Sequence, residues 1–246
     1  MTISEHLEEL RTRLIRSLLA IAVVFGFAFW QIEWVVEFMR APLDRLDPEF
    51  LGSVSTVQGK VYSGFFGAMK LAFFTGCVGA SPILLYQLWM FVAAGLYSHE
   101  RRMVKYYAIP GFLLFMAGTY VAYAFVMPYA FRFLIGFAHE QLGIVSLLEF
   151  GEYISLVAFS MFVFGLLFQL PIVMVFLMRI GLVEPATFRR FRRHAVLAAF
   201  TLAMVLTPPD PISQIALAIC MVLLYESAIV IGSTIARKRD DQELAR

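Results

Sequence analysis

Six apolar segments, separated by stretches that alternate between strongly basic and nearly free of basic residues, constrain this chain more than any other feature. They read at residues 14–36, 71–95, 106–129, 155–180, 194–207 and 212–235. Five of them approach or exceed the ~20 residues that a helix needs to cross a hydrocarbon core of ~30 Å. The fifth in chain order has only 14 residues, about 21 Å of helix, so the bilayer must thin locally around it. Hydrophobic residues make up 61% of the 246, against roughly 45–50% in a soluble domain. That surplus is lipid-facing surface. The expected fold is an all-α integral membrane protein of six transmembrane helices forming a single domain over 1–246, with no internal repeat and no Gly/Ser linker.

Lys and Arg set the orientation. With the N-terminus cytosolic, 15 of the 20 basic residues fall on the inside: Arg11, Arg13 and Arg16, then Arg101, Arg102 and Lys105, then Arg179, Arg189, Arg190, Arg192 and Arg193, and finally Arg237, Lys238, Arg239 and Arg246. The outside keeps Arg40, Arg45, Lys60, Lys70 and Arg132, four of them in one long loop where charge weighs less. Both termini are therefore expected in the cytosol. A cleavable signal peptide is a poor match for the start of the chain, because Glu5, Glu8 and Glu9 precede the apolar run and five more spans follow. The small net charge of +2 and the position of basic residues at span ends favour lipid headgroups over nucleic acid as their partners.

Residues 1–13 read as an amphipathic cytosolic helix, with Leu7, Leu10 and Leu14 on one stripe and Glu5, Glu9 and Arg13 on another. The external loop at about 37–70 is punctuated by Pro42 and Pro48, and its apolar residues suggest short helices on the membrane surface. The tail, about 236–246, is charged. Thr207-Pro208-Pro209-Asp210-Pro211 turns the fifth span directly into the sixth, with Asp210 or Ser213 able to cap the helix that follows. Pro82, Pro110, Pro128 and Pro171 fall in or near spans and are expected to kink them into a concave arrangement.

No enzyme motif is present: there is no G-x-S-x-G, H-E-x-x-H or phosphate-binding loop, and all four histidines lie in loops or at span ends. No cofactor or metal is expected. Cys77 and Cys220 read as small buried hydrophobes. At membrane depth the polar residues are Gln169, two before Pro171, and Glu226 in the last span. A carboxylate there costs ~3 kcal/mol on insertion scales and so points to function, although snorkelling or pairing with the basic tail explains Glu226 equally well. Gln169 is equally explained by bonding a neighbouring helix or the backbone freed by Pro171. Glu226 as a proton carrier would make the chain a proton-coupled secondary transporter for a small solute, a fold that usually carries an inverted repeat. A purely structural scaffold is the third reading.

On the cytosolic side, Glu9 on the helix entering span one and Glu100 in the loop joining spans two and three could together hold two guanidiniums by planar two-toothed contacts. Local pairing, Glu9 with Arg13 and Glu100 with its basic neighbours, is the alternative. The motifs H-L-x-E-L-R-x-R-L at 6–14, A-P-L at 41–43, S-P-x-x-L-Y-Q-x-W at 81–89, L-Y-x-H-E-R-R at 96–102 and L-T-P-P-D-x-x-S-Q at 206–214 occur in order along nearly the whole chain. In this they resemble the TatC family of twin-arginine translocase proteins. The resemblance implies a receptor in the bacterial inner membrane that reads the S-R-R-x-F-L-K type motif in the signal peptides of folded cargo. It further implies assembly with the single-span proteins TatA and TatB, and self-association of the chain, in a translocon driven by the proton-motive force.

Carried over residue by residue, the resemblance implies signal-peptide contact by Glu9 and Glu100, shaped by Arg11, Phe91, Leu96 and Arg101. It implies docking of partner helices at Met204, Thr207 and Gln214, and structural roles for Pro42 and Asp210. The chain departs from the family at Gln169, where many members carry a glutamate; Glu226 is then the remaining carboxylate.

Overall fold

The computed structural model describes residues 3–44, 54–57, 63–94, 98–142, 146–207 and 211–244. The described chain is helical apart from short turns and one pair of four-residue strands. It falls into two compact units, 1–165 and 166–246.

In the first unit, α1 (Ile3–Trp30) is one 28-residue helix. The expected amphipathic approach and first span are thus a single element, as the absence of Gly or Pro before Gly26 favours. After a break at Gln31 the backbone ladder continues, Gln31 N–H to the Phe27 carbonyl and Val35 N–H to the Gln31 carbonyl, into α2 (Ile32–Asp44). Alternating burial makes α2 the amphipathic helix expected at the start of the external loop: Val35 and Met39 are buried while Trp34 and Phe38 are exposed. Two tyrosines hold it down. Tyr123 Oη donates to the Phe38 carbonyl at 2.6 Å and Tyr153 Oη to the Met39 carbonyl at 3.1 Å. The Phe38 and Tyr123 rings stack at 4.7 Å, and the Arg40 guanidinium lies 4.6 Å from the centre of the Phe150 ring.

The strands β1 (Val54–Val57) and β2 (Ser146–Glu149) pair in parallel, Val54 opposite Ser146, and join two stretches far apart in the sequence. The helices α3 (Ser63–Gly79) and α4 (Ser81–Ala94) make one apolar segment bent by 55°. Pro82, in the first turn of α4, supplies the reason: it donates no hydrogen bond, and the amides of Ile83 and Leu84 converge on the Ala80 carbonyl. The next helix, α5 (Ser98–Val121), runs through a π-helical turn at Ala122–Val126 into α6 (Met127–Leu142). In that turn Met127 N–H reaches back five residues to the Ala122 carbonyl, which widens the helix just before Pro128.

Close crossings rest on small residues. A β-carbon on Gly76 would meet the Phe25 backbone of α1 at 3.1 Å, and one on Gly67 would meet the Gly151 Cα at 2.7 Å. Gly151 belongs to α7 (Phe150–Leu167), the most apolar and most buried of the spans. At the far end of α7, Gly165 faces the buried Phe115 ring, and Thr119 Oγ1 donates to the Met161 carbonyl.

The second unit holds α8 (Leu170–Arg179), α9 (Pro185–Arg190), α10 (Arg192–Leu206) and α11 (Pro211–Leu244). The helix α8 ends on Gly181 at φ 76°, where Gly181 N–H bonds the Met178 carbonyl and Leu182 N–H bonds the Leu177 carbonyl. That bonding pattern requires a left-handed residue, which glycine adopts at no steric cost. With 15 residues, about 22 Å, α10 is the short fifth segment anticipated from the sequence. Only Ala199 and Ala203 of α10 are buried, while Leu197, Met204 and Val205 are well exposed. Four described helices are long and apolar enough to cross a membrane, or five counting the bent α3–α4 pair; α10, fifth in chain order, is a further apolar segment that is too short to meet that test.

Candidate functional site

The candidates for guanidinium binding begin with Glu9. Four residues separate it from Arg13, one helical turn, so the two side chains meet on one face of α1. Arg13 Nε donates to Glu9 Oε1 at 3.1 Å and Nη2 donates to the same oxygen. Arg13 Nη1 turns the other way and donates to Gln87 Oε1 of α4 at 3.1 Å. Both charged side chains are well shielded, 18% exposed for Glu9 and 12% for Arg13. Local pairing of Glu9 is therefore present, and it also clamps α1 to α4. The contact leaves Oε2 of Glu9 without a hydrogen bond among the described residues. Glu8, Glu9, Thr12, Arg13 and Arg16 line a polar cavity of about 370 Å³.

Gln87 was not among the expected site residues. Its signal was a lone amide in the apolar run of the S-P-x-x-L-Y-Q-x-W motif. Phe91 follows it by one turn, so both lie on the same stripe of α4, and both are half-buried. Arg11 is exposed. Glu100 and Arg101 belong to the first turn of α5, a position that favours a carboxylate through the helix dipole. Their side chains lie outside the described residues, as do Leu96, Asp210 and the side chain of Pro42.

The partner-docking candidates flank the turn between α10 and α11. Met204 is 63% exposed and Gln214 is half-buried in the first turn of α11. Thr207 is buried, and its Oγ1 donates to the Ala203 carbonyl at 2.8 Å, so its visible work is to terminate α10. Gln169, only 9% exposed, occupies the break between α7 and α8; Val173 N–H donates to its carbonyl at 3.1 Å just beyond Pro171.

Glu226 accepts a hydrogen bond from Arg192 Nη2 at 2.6 Å, with side chains 39% and 50% exposed. Next to it, Tyr225 Oη donates to the Phe188 carbonyl. The carboxylate is thus held at the α9–α10 junction by Arg192; the basic tail that the sequence suggested as its partner has its side chains outside the described residues. A half-exposed pair contributes about 0–1 kcal/mol. Glu226→Gln is accordingly expected to lower thermal stability in detergent by no more than about 1 kcal/mol and to leave protein export intact. Loss of export in a normally stable variant would restore Glu226 to the functional site.

Comparison with known proteins converges on one family. The family described as "Sec-independent protein translocase protein (TatC)" matches residues 5–220. The TatC protein of Magnetococcus marinus is 40% identical over 243 residues, covering 98% of this chain and 87% of that protein. That of Aquifex aeolicus is 35% identical over the full length of both, and that of Escherichia coli K12 is 36% identical over 91% of this chain and 85% of its own. A crystal structure of the twin-arginine translocase receptor TatC superposes with a TM-score of 0.82 at 34% identity, over 94% of this chain and 99% of that one. With its helical architecture, its ordered motifs and near full-length similarity in agreement, this chain belongs to the TatC family of Sec-independent protein translocase proteins.

Proposed function

We propose that this chain is the receptor component of a twin-arginine translocase. In this reading it forms one six-helix transmembrane domain in the bacterial inner membrane, with both termini cytosolic. Its cytosolic face binds the paired arginines of signal peptides on folded cargo. Glu9 and Glu100 each take one guanidinium, with Arg11, Phe91, Leu96 and Arg101 shaping the surface around them. The short α10 and the start of α11, at Met204, Thr207 and Gln214, accept the single helices of TatA- and TatB-type partners. Self-association and the proton-motive force then complete the active translocon.

The observation that carries this reading is the shielded Glu9–Arg13–Gln87 cluster. Glu9 is fixed where α1 meets α4, and a guanidinium already docks on it. An incoming arginine can bridge to Oε2 or replace Arg13 with the same planar geometry. Lysine carries the same charge but offers a point donor on a flexible stem. Each lost charge-assisted hydrogen bond costs about 1.5 kcal/mol, so a Lys-Lys peptide is expected to bind about tenfold or more weakly than its Arg-Arg counterpart. Titration of labelled peptides in one detergent measures this, and equal affinities would remove the geometric basis of the site. Ion pairs alone do not give tight binding; the apolar part of the signal peptide must supply the remainder, a contact to which half-buried Phe91 would contribute.

A further inference from the structure

The first unit contains an apolar cavity of about 680 Å³, within the ~300–1,000 Å³ typical of ligand sites. Its apolar wall is Phe25 of α1, Met69, Phe73 and Phe74 of α3, and Leu156 and Phe159 of α7. The Gly67–Gly151 crossing creates it: α3 and α7 touch backbone to backbone there, and one turn further along the bulky side chains of both helices leave a gap between them.

Three polar residues also line the cavity. Ser155 donates its hydroxyl to the Gly151 carbonyl at 2.6 Å and is spent within its own helix. The other two are Lys70 and Glu152. Lys70 stands eighth in α3, immediately before the apolar run that begins at Leu71. Its Nζ stands 3.8 Å from Glu152 Oε1, with the side chains 53% and 72% exposed. At that separation neither charge hydrogen-bonds the other. The result is an ammonium and a carboxylate side by side, both accessible, on an otherwise apolar cavity.

We infer that this cavity holds a zwitterionic phospholipid with a primary ammonium headgroup. One acyl chain lies along the aromatic wall, Lys70 binds the phosphate, and Glu152 accepts hydrogen bonds from the lipid ammonium. Charge complementarity selects this occupant. A headgroup with one anion and one hydrogen-bonding cation satisfies both side chains. An anionic lipid would leave Glu152 opposed to like charge, and a quaternary ammonium would offer it no N–H donor. The inference needs only the membrane setting of α1, α3 and α7, and its failure would leave the receptor reading untouched.

The test uses full-length protein reconstituted in vesicles with equal parts phosphatidylethanolamine, phosphatidylcholine and phosphatidylglycerol. It is then extracted in mild detergent, and the retained lipid is identified by mass spectrometry. The wild type is expected to retain phosphatidylethanolamine over the other two by roughly two- to fivefold, the scale of an exposed charge pair. Glu152→Gln should erase that preference and shift retention toward phosphatidylglycerol. Lys70→Gln should lower retention of all three, and Leu156→Trp should empty the cavity. Lys70 and Glu152 are exposed, so their variants are expected to fold, as checked by gel filtration and circular dichroism. Equal retention of the three lipids by the wild type, or an unchanged profile in both charge variants, would overturn the assignment. So would a crosslinker at Phe74 that captures a single-span protein in place of lipid.

Discussion

Glu100→Lys is expected to abolish binding of twin-arginine peptides while leaving the protein inserted and folded. Glu100 lies in the first turn of α5 and is followed at once by Arg101 and Arg102, with Lys105 one turn on. In the proposed site its carboxylate accepts from a peptide guanidinium, with basic residues next to it in sequence. Reversal removes that acceptor and sets another ammonium against the incoming guanidinium. Losing one partner of a hydrogen-bonded charge pair at an interface costs about 2–5 kcal/mol, at least roughly thirtyfold in affinity. The cost to the helix itself is only about 0.3–1 kcal/mol, from an unfavourable charge at its N-terminus. Position 100 is a cleaner probe than position 9, because replacing Glu9 also releases Arg13 and its bond to Gln87. Peptide titration and an export assay on the same stably inserted variant measure the effect. Wild-type binding would exclude Glu100 from the site.

The second large effect is steric. Gly67→Ala is expected to destabilise the protein by about 1–2 kcal/mol, the cost of overpacking net of alanine's better helix propensity. The added methyl would sit 2.7 Å from the Gly151 Cα and 3.3 Å from its carbonyl oxygen, and backbone cannot step aside without moving a helix. Gly232→Ala is the matched control. Its methyl would collide with Met178 Cε and Sδ, the far end of a flexible side chain that can rotate away. That variant should melt within about 0.5 kcal/mol of the wild type or slightly above it. Thermal melts of both variants in one detergent decide the matter, and a Gly67→Ala protein as stable as the wild type would show that the α3–α7 crossing is not close-packed.

Much of the helical layout was legible because its determinants are local. Apolar runs located the long helices, Pro82 forecast the α3–α4 bend, Pro171 marked the break before α8, and the run 194–207 forecast a helix too short for an ordinary bilayer. The parallel strands were not legible. Four residues at Val54 and four at Ser146 carry little pattern of their own, and their pairing joins distant parts of the chain. Short surface helices were expected around Val35 to Leu43, where α2 forms; the extended Val54–Val57 was not anticipated.

At the candidate site, the Glu9–Arg13 pair follows from helical spacing alone. The bond to Gln87 does not, since it depends on how α1 crosses α4. The same holds for Lys70 and Glu152: each looks like an ordinary loop-end charge in sequence, and only the Gly67–Gly151 crossing brings them together. Glu226 falls inside the apolar run 212–235, which the sequence shows directly. Its pairing with Arg192 is set by the α9–α10 junction, which carries no periodic signal.

Photo-crosslinking from probes placed beside Glu9 and Glu100, with twin-arginine and twin-lysine signal peptides compared in the same membranes, tests the arginine-reading receptor most directly. Crosslinks from both positions that weaken when lysine replaces arginine are the predicted result. No crosslink from either position in folded protein, or crosslinks of equal strength to the two peptides, would contradict it.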